Sequence, residues 1–127
     1  MRRILVIDDE EGVRDSFSLA LGEEYEVVGA ADGDQGVRLA RGRRPDLVFL
    51  DLRMPGLSGV ETLRRLHLLY PGIDVCIVTG FYEEYLRELI QAGEEGIRFQ
   101  VARKPIDQEQ IRVIAESHLQ GPQVYPG

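Results

Sequence analysis

The stretch ILVIDD, residues 4–9, places a short apolar run directly before two aspartates. Four apolar residues rich in Ile are too few for a helix, but they suit a strand that is buried on both faces of a parallel sheet. Three runs of similar length and composition follow, at residues 27–31, 47–50 and 75–78. These runs predict a parallel sheet whose strands are covered by helices on both faces.

Residues 97–102 have a different pattern, because Ile97, Phe99 and Val101 alternate with residues that are polar or small. Such alternation predicts a half-exposed strand at an edge of the sheet. Between the strands, apolar residues recur with the helical period, most clearly over residues 111–119. Five strands that alternate with five helices predict a doubly wound α/β domain with right-handed crossovers.

Two of the helices carry clear local signals. Ser58 followed by Glu61 is a capping-box pattern, which predicts the start of the third helix. In the fourth helix, the spacing of Leu86, Leu89 and Ile90 predicts the face that packs on the sheet. We therefore expect one helix to begin just after the serine and the other to bury all three apolar side chains.

The charge of the chain argues against direct nucleic-acid binding by this domain. A net charge of −7 and a pI near 4.8 do not provide the clustered Lys and Arg that such binding requires. The one basic cluster, Arg41, Arg43 and Arg44, ends a predicted helix, where cations meet the negative end of the helix dipole. The cluster is therefore interpreted as a helix-end feature.

The length of 127 residues is typical of one domain, and we expect residues 1–120 to form it. Residues 121–127 contain two prolines and two glycines without periodicity, which predicts a tail or the start of a linker. The single cysteine, Cys76, falls in an apolar run and is expected to be buried and unpaired. No segment has the pattern of a signal peptide or a membrane span, so a cytoplasmic protein without membrane contact is expected.

The polar residues that follow the predicted strands define a candidate site. Asp8 and Asp9 follow the first strand, Asp51 the third, Thr79 the fourth and Lys104 the fifth. Because the carboxyl ends of parallel strands line one crevice, we expect these five side chains to converge. Lys104 is also the only lysine, which suggests that this position needs a compact ammonium.

Three carboxylates brought close together repel one another, so one of them would hold a proton unless a cation lay between them. The available ligands are hard oxygens, which suit Mg²⁺ or, as a substitute, Mn²⁺, and the absence of His and Cys disfavours zinc. A carboxylate can also attack phosphorus to form an acyl phosphate. Lys104 and Thr79 would then supply a positive charge and a hydroxyl donor, which together predict a phosphoryl-acceptor site.

Four motifs occur in chain order: ILVIDDEEGVR at residues 4–14, DLRMPGLSG at 51–59, VTG at 78–80 and RKP at 103–105. As an ordered set they resemble the receiver domain of two-component response regulators, over about residues 3–119. The resemblance implies a flavodoxin-like (CheY-like), doubly wound sheet of five parallel strands in the order 2-1-3-4-5, with five helices. The fifth strand would then lie at an edge, in agreement with its alternation.

The resemblance also implies roles for the acidic residues. Asp51 would accept a phosphoryl group from the phosphohistidine of a sensor histidine kinase, or from a small acyl phosphate. Asp9 and Asp51 would ligate Mg²⁺ directly, together with the backbone carbonyl of Arg53, and Asp8 would hold a metal-bound water. The domain would therefore act as a signalling switch, and not as an enzyme that turns over an external substrate.

The phosphoryl group itself would be held by Lys104 and Thr79, with help from the backbone N–H groups of Arg53 and Gly80. Gly80 suits its position because a side chain there would crowd the group, and Pro105 would follow a cis peptide bond. Phosphorylation would rearrange the surface formed by the fourth helix, fifth strand and fifth helix. This surface would contact an effector domain or a downstream protein, and a homodimer could form through it.

Three features depart from the usual pattern of the family. Val101 stands where an aromatic residue usually changes its rotamer on activation, and Phe99 is the alternative switch residue. The stretch over residues 79–104 is a few residues longer than usual. Arg53 and Phe81 occupy two variable positions that tune dephosphorylation, and a cation beside a bulky apolar cover predicts a long-lived phosphoryl group.

Two alternative functions use the same residues. An enzyme of the haloacid-dehalogenase type also forms an aspartyl phosphate, but it needs a second acid two residues after the nucleophile, where this chain has Arg53. A receiver-like interaction module that acts without phosphorylation is suggested by Val101 and by the lengthened stretch. Every expected site residue is present, so phosphorylation of Asp51 is the leading hypothesis.

Overall fold

The chain folds into a five-stranded parallel sheet with helices on both faces. A computed structural model describes residues 1–120, and its strands have the order β2-β1-β3-β4-β5. The elements are β1 Arg3–Ile7, α1 Glu11–Leu21, β2 Glu26–Ala30, α2 Gly33–Gly42, β3 Leu47–Leu50, α3 Gly59–Leu69, β4 Val75–Thr79, α4 Tyr82–Glu94, β5 Gln100–Arg103 and α5 Gln108–Leu119. The predicted doubly wound, flavodoxin-like fold is confirmed. The predicted tail, residues 121–127, lies outside the described residues.

The three central strands are the buried ones. Every residue of β3 and β4 is buried, as are all residues of β1 except its first. β2 lies at an edge of the sheet, where Val27 and Val28 are half-buried and Gly29 is exposed. The prediction that residues 27–31 are buried on both faces was therefore wrong, because only one neighbouring strand protects β2.

Alternate residues of the central strands supply two apolar cores, one on each face of the sheet. On one face, Leu5 and Ile7 pack with buried residues of α2, α3 and α4. On the other face, Ile4 and Val6 pack with buried residues of α1 and α5. Each fully buried Leu or Ile side chain contributes roughly 1.5–3 kcal/mol. The sheet is therefore held firmly from both faces, and its carboxyl edge is free to carry polar residues.

The helix α4 turns a different face inward from the one that was predicted. Leu89 and Ala92 are buried and Tyr85 packs against the same core, whereas Leu86 is 39% exposed and Ile90 is 54% exposed. The helical period was read correctly, but the two flanking apolar residues point away from the sheet. This leaves α4 with an exposed apolar surface.

β5 begins at Gln100, three residues later than predicted. The reason is the way in which α4 ends: Gly96 has φ of 88°, its N–H donates to the Gly93 carbonyl, and the Ile97 N–H donates to the Ala92 carbonyl. This pair of bonds is a Schellman motif, in which the apolar residue after the glycine packs back against the helix. Ile97 is therefore buried as part of a helix cap, and its alternation with the following residues was misleading.

Cys76 lies inside β4 and is buried and unpaired, as predicted. Burial raises the pKa of its thiol to about 11, so the side chain stays protonated at neutral pH and packs as a small apolar group. Among residues 1–120, no helix combines the length and the apolar character that crossing a membrane requires.

Candidate functional site

Two aspartates stand at the ends of neighbouring strands. β1 and β3 pair with Ile7 opposite Leu50, so Asp8 and Asp51 leave the sheet side by side. The Asp8 N–H donates to the Ala30 carbonyl and the Asp51 N–H donates to the Ile7 carbonyl, each at 3.0 Å. Asp8 is only 3% exposed and Asp51 only 5%, although aspartates are rarely so buried without a partner. The hydrogen bonds of the sheet therefore hold two buried carboxylates next to each other.

Lys104 is the cation that lies between them. β5 pairs with β4 so that Arg103 is opposite Thr79, and this register brings the next residue to the same edge of the sheet. The Lys104 Nζ lies 2.9 Å from Asp8 Oδ2 and 3.3 Å from Asp51 Oδ2. The lysine side chain is only 22% exposed, so both ion pairs are largely shielded from water.

Backbone hydrogen bonds orient the other oxygen of each carboxylate. Asp8 Oδ1 accepts the Glu10 N–H at 2.9 Å, and Asp51 Oδ1 accepts the Leu52 N–H at 2.8 Å. Arg14 was not predicted as a site residue, yet its guanidinium donates to the Asp8 carbonyl at 2.7 Å. The only feature of the sequence that could have indicated a site role for Arg14 is its place at the end of the ILVIDDEEGVR motif. Each carboxylate thus has one oxygen on a backbone N–H and the other on the shared ammonium.

Burial and charge act in opposite directions on these groups. Burial raises the pKa of Asp51, Lys104 opposes the rise, and Asp8 adds to it, with a net shift upward. Burial lowers the pKa of Lys104, but its hydrogen bonds and ion pairs with the two carboxylates outweigh this effect and leave the pKa raised. The Lys104 ammonium therefore stays charged at neutral pH, whereas the ionised form of Asp51 lowers the stability of the folded protein. A further cation at this point would relieve that cost.

Asp9 completes an acidic group with Asp8 and Asp51. One carboxylate oxygen of each residue lies within 4.8 Å of the other two. Asp9 is exposed, so the group opens toward solvent on one side. Oxygen ligands at this spacing, with room for water molecules, fit a hard divalent cation such as Mg²⁺. The group contains no His or Cys, which are the ligands that zinc prefers.

An open crevice of about 500 Å³ gathers most of the predicted site residues. Its walls include Asp9, Asp51, Arg53, Gly80, Phe81 and Lys104. Side chains and backbone from the ends of β1, β3, β4 and β5 therefore meet at one edge of the sheet, as the strand-end pattern predicted.

Thr79 is fully buried at the end of β4, and its hydroxyl oxygen accepts the Phe81 N–H at 3.0 Å. The hydroxyl hydrogen can still donate to another group. Gly80 is exposed, and a Cβ at this position would meet only the Lys104 Cβ, at 3.9 Å. The unmodified protein therefore has space at Gly80, and the predicted crowding would concern a bound phosphoryl group.

Gly59 is a supporting residue that was not predicted from the sequence. α3 begins here, and the Ser58 Oγ accepts the Glu61 N–H at 3.2 Å as expected. A Cβ on Gly59 would collide with backbone atoms of Leu52 and Asp51. The glycine thus allows the start of α3 to lie against the end of β3. The available signal was a glycine directly after the cap residue in DLRMPGLSG.

Two of the predicted switch residues lie apart from this group. Val101 is 37% exposed on the edge strand β5. Phe99 precedes β5 and lines a different crevice with Asp74 and His118, near the start of β4 and away from the acidic end of the sheet. Pro105, in contrast, directly follows Lys104 through a cis peptide bond, as the resemblance implied.

Comparison with known proteins decides the family. A family model described as the response regulator receiver domain matches residues 4–116. The chain belongs to this family. The structure of a response regulator receiver domain protein (CheY-like) from Methanospirillum hungatei JF-1 matches this receiver domain with a TM-score of 0.85, at 27% identity and over 94% of both chains. The predicted family and fold are therefore both confirmed.

Curated relatives of this receiver domain differ in length. It is 33% identical to sporulation initiation phosphotransferase F of Bacillus subtilis over 118 residues, and the aligned region covers 92% of this chain and 93% of that protein. It is 40% identical to the response regulator GacA of Pseudomonas aeruginosa over 100 residues, and the aligned region covers 76% of this chain and 47% of that protein. The chain thus spans nearly all of the first relative and about half of the second.

Proposed function

We propose that this receiver domain is a phosphoacceptor, in which Asp51 accepts a phosphoryl group from the phosphohistidine of a sensor histidine kinase. The observation that carries the proposal is the buried pair of carboxylates, Asp8 and Asp51, with the Lys104 ammonium within 3.3 Å of both. A buried carboxylate that has a raised pKa and lines a crevice, as Asp51 does, is typical of a reactive site. Here it lies in a domain whose family belongs to two-component signalling.

In the proposed transfer, a carboxylate oxygen of Asp51 forms a bond to phosphorus while the bond from phosphorus to the histidine nitrogen breaks. The imidazole leaves with the electron pair of the broken bond. Lys104 keeps its positive charge beside the reacting group, because its pKa is raised. Thr79 can donate its hydroxyl hydrogen to a phosphoryl oxygen. The same steps apply to acetyl phosphate, with acetate as the leaving group.

The acidic group would hold Mg²⁺, or Mn²⁺ in its place. Asp9, Asp51 and the backbone carbonyl of Arg53 would be direct ligands, and Asp8 would bind through a water molecule. When bound, the cation would neutralise charge that spreads over the phosphoryl oxygens. The spacing of the three carboxylates and the exposure of Asp9 support this assignment.

The product would be a signalling state and not a released compound, so the domain would be a switch rather than an enzyme for external substrates. Its output surface would comprise α4, β5 and α5, where Leu86, Ile90 and Val113 are exposed apolar side chains. An effector domain, a downstream protein or a second copy of the chain would bind this surface. The protein would act in the cytoplasm, where histidine kinases obtain ATP.

The direct test is to incubate the protein with acetyl phosphate and Mg²⁺ and to measure its intact mass. One phosphoryl adduct is expected on the wild-type chain, and none on Asp51→Asn or after removal of divalent cations with EDTA. A histidine kinase that has phosphorylated itself serves as a second donor, in case the small donor reacts slowly. If neither donor produces an adduct, the domain is not a phosphoacceptor, and an interaction module would be the better assignment.

A further inference from the structure

Arg53 connects the reactive loop to the start of α4. Its backbone follows Asp51 by two residues, and its side chain reaches across the mouth of the crevice. The guanidinium lies over the Phe81 ring at 4.3 Å from the ring centroid and 3.9 Å from Glu84 Oε1. Phe81 is the residue directly before α4, and Glu84 lies in its first turn. One arginine therefore ties the loop after β3 to the beginning of the fourth helix.

A second arginine provides a useful contrast. Arg103 in β5 lies 2.9 Å from Glu83, the neighbouring acid in the first turn of α4. Arg53 and Glu84 are separated by the longer distance of 3.9 Å. The Arg103 guanidinium also lies over the ring of Tyr82, 5.2 Å from its centroid, whereas Arg53 lines the crevice with Asp51. The ion pair made by Arg53 is thus the longer of the two, and Arg53 is the arginine that borders the reactive carboxylate.

A phosphoryl group on Asp51 would be a stronger partner for this arginine than Glu84 is. It carries more negative charge than a carboxylate and offers three acceptor oxygens. Arginine binds such groups through two parallel hydrogen bonds, whereas an exposed pair at the longer distance contributes little. Arg53 already lines the crevice with Asp51, and its side chain is 57% exposed, so its guanidinium can turn without displacing buried groups.

We propose that Arg53 exchanges partners on phosphorylation, leaving Glu84 and Phe81 for the phosphoryl group and so removing one of the two arginine contacts that hold the first turn of α4. This inference rests on the phosphoacceptor function proposed above. It supplies a route from the reactive loop to the output surface that does not use β5. Such a route is needed here, because Val101 has no ring to rotate and Phe99 lines a different crevice.

The position of Thr79 reinforces this route. Its hydroxyl oxygen accepts the Phe81 N–H at 3.0 Å, so the residue before α4 is held through its backbone as well as through its ring. Arg53 lines the crevice with Asp51, and Thr79 ends β4, the strand next to the one that Asp51 follows. A phosphoryl group that recruits Arg53 therefore withdraws the contact with the Phe81 ring, and one that draws the Thr79 hydroxyl toward itself acts on the backbone of the same residue.

The partner exchange can also be tested at Glu84. If Arg53 must leave Glu84 for the phosphoryl group, loss of the charge on Glu84 removes the competing partner and raises the fraction of phosphorylated molecules in which Arg53 contacts the phosphoryl group. Because a cation at that point hinders the hydrolytic water, Glu84→Gln should lengthen the phosphoryl lifetime by about twofold, whereas Arg53→Gln should shorten it. A residue with a merely structural role in α4 has no reason to lengthen that lifetime.

The experiment compares the full wild-type chain, Glu84→Gln and the control Glu88→Gln, each before and after treatment with acetyl phosphate and Mg²⁺. Glu88 is an exposed acid one turn further along α4, and no ion pair involves it within residues 1–120. Intact mass first establishes the phosphoryl adduct in every sample. Amide hydrogen exchange over residues 81–86 and the decay of the adduct are then measured.

In the wild type and in Glu88→Gln, phosphorylation is expected to raise exchange at the start of α4 about two- to fivefold, as for loss of an exposed ion pair. In Glu84→Gln, exchange should be raised before phosphorylation and should rise little further. The proposed change of partners by Arg53 is overturned if phosphorylation raises hydrogen exchange in Glu84→Gln as much as in the wild type, or if the phosphoryl lifetime of this variant is no longer than that of the wild type. Either result leaves the phosphoacceptor function intact. Absence of the adduct in every sample overturns the phosphoacceptor function and the exchange together.

Discussion

The acidic site and the start of α4 border the same crevice, but they are held in opposite ways. Asp8, Asp51 and Thr79 are at most 5% exposed and stand at the ends of central strands that two apolar cores enclose. The start of α4 depends on surface contacts, such as the pair of Arg53 and Glu84, in which both side chains are 57% exposed. The comparison teaches that the buried sheet positions the reactive groups, whereas weak and reversible contacts position the element that would respond to them.

The largest effect is expected where a buried charge loses its partner. Lys104→Met keeps most of the length of the side chain but leaves Asp8 and Asp51 facing each other without a cation. The free energy of unfolding at neutral pH, without divalent cations, should fall by about 3 kcal/mol, as measured by urea denaturation. Addition of Mg²⁺ should restore part of the loss.

The neighbouring residue supplies the control. Arg103→Met removes an ion pair with Glu83 in which both side chains are mostly exposed, and it should cost at most about 1 kcal/mol. Equal losses of unfolding free energy in Lys104→Met and Arg103→Met would contradict the difference between the buried acidic site and the exposed start of α4.

A smaller effect is expected where the backbone is tightly packed. Gly59→Ala places a Cβ against the backbone of Leu52 and Asp51, and the strain should lower the free energy of unfolding by about 2 kcal/mol. Gly93→Ala is the matched change in α4, where a Cβ meets no atom within 4 Å, and it should stabilise the protein by about 0.5 kcal/mol. Thermal denaturation of both variants checks the contrast. A Gly59→Ala protein as stable as the wild type would contradict the close packing of α3 on β3.

The third prediction concerns the cover over the crevice. Arg53 and Phe81 both line the crevice, and a cation near the phosphoryl group together with a bulky apolar side chain should hinder a hydrolytic water. The double variant Arg53→Asn, Phe81→Glu should shorten the phosphoryl lifetime by about tenfold, a change of about 1.4 kcal/mol in the barrier. The decay of the adduct, followed by intact mass, provides the measurement, with Arg103→Met as a control outside the crevice. An unchanged phosphoryl lifetime would show that Arg53 and Phe81 do not protect the phosphoryl group from water.

The smallest effect concerns Asp51 itself. Burial raises its pKa in the folded state, so ionised Asp51 destabilises the fold, and Asp51→Asn should increase the free energy of unfolding at neutral pH by about 1 kcal/mol. Because the folded protein holds the proton more tightly, this cost is complete above the folded-state pKa. It disappears as the pH falls toward the unfolded value of 3.8.

The advantage of Asp51→Asn should therefore shrink between neutral pH and about pH 4, in urea denaturation without divalent cations. The exposed control Asp15→Asn should change stability by less than about 0.5 kcal/mol at either pH. An advantage that grows as the pH falls would contradict the raised pKa.

The same contrast explains what the sequence could predict. The runs that end at Asp8, Asp51 and Thr79 are buried strands, and a strand buried on both faces has few alternative structures. Convergence of the site followed from the rule that parallel strands end at one edge. Here local pattern and tertiary packing agree, so the sequence was sufficient for the fold and for the grouping of the acids and Lys104.

The prediction failed where packing is decided by contacts between distant segments. The alternation before β5 concealed a Schellman motif at Gly96 and Ile97, and the apolar spacing in α4 did not show which side chains would face the sheet. The contacts of Arg53 with Phe81 and Glu84 join the loop after β3 to the start of α4, which are far apart in the chain. No local pattern signals such contacts, because they depend on the completed fold.

The central claim, that Asp51 accepts a phosphoryl group, is tested most directly by locating that group. Borohydride reduces an aspartyl phosphate to homoserine, and peptide mapping by mass spectrometry then reports which residue was modified. After treatment with acetyl phosphate and Mg²⁺, homoserine is predicted at residue 51 and at no other aspartate, with none in Asp51→Asn. Homoserine at Asp8 or Asp9, or its absence from a protein that carries a phosphoryl adduct, would contradict the claim.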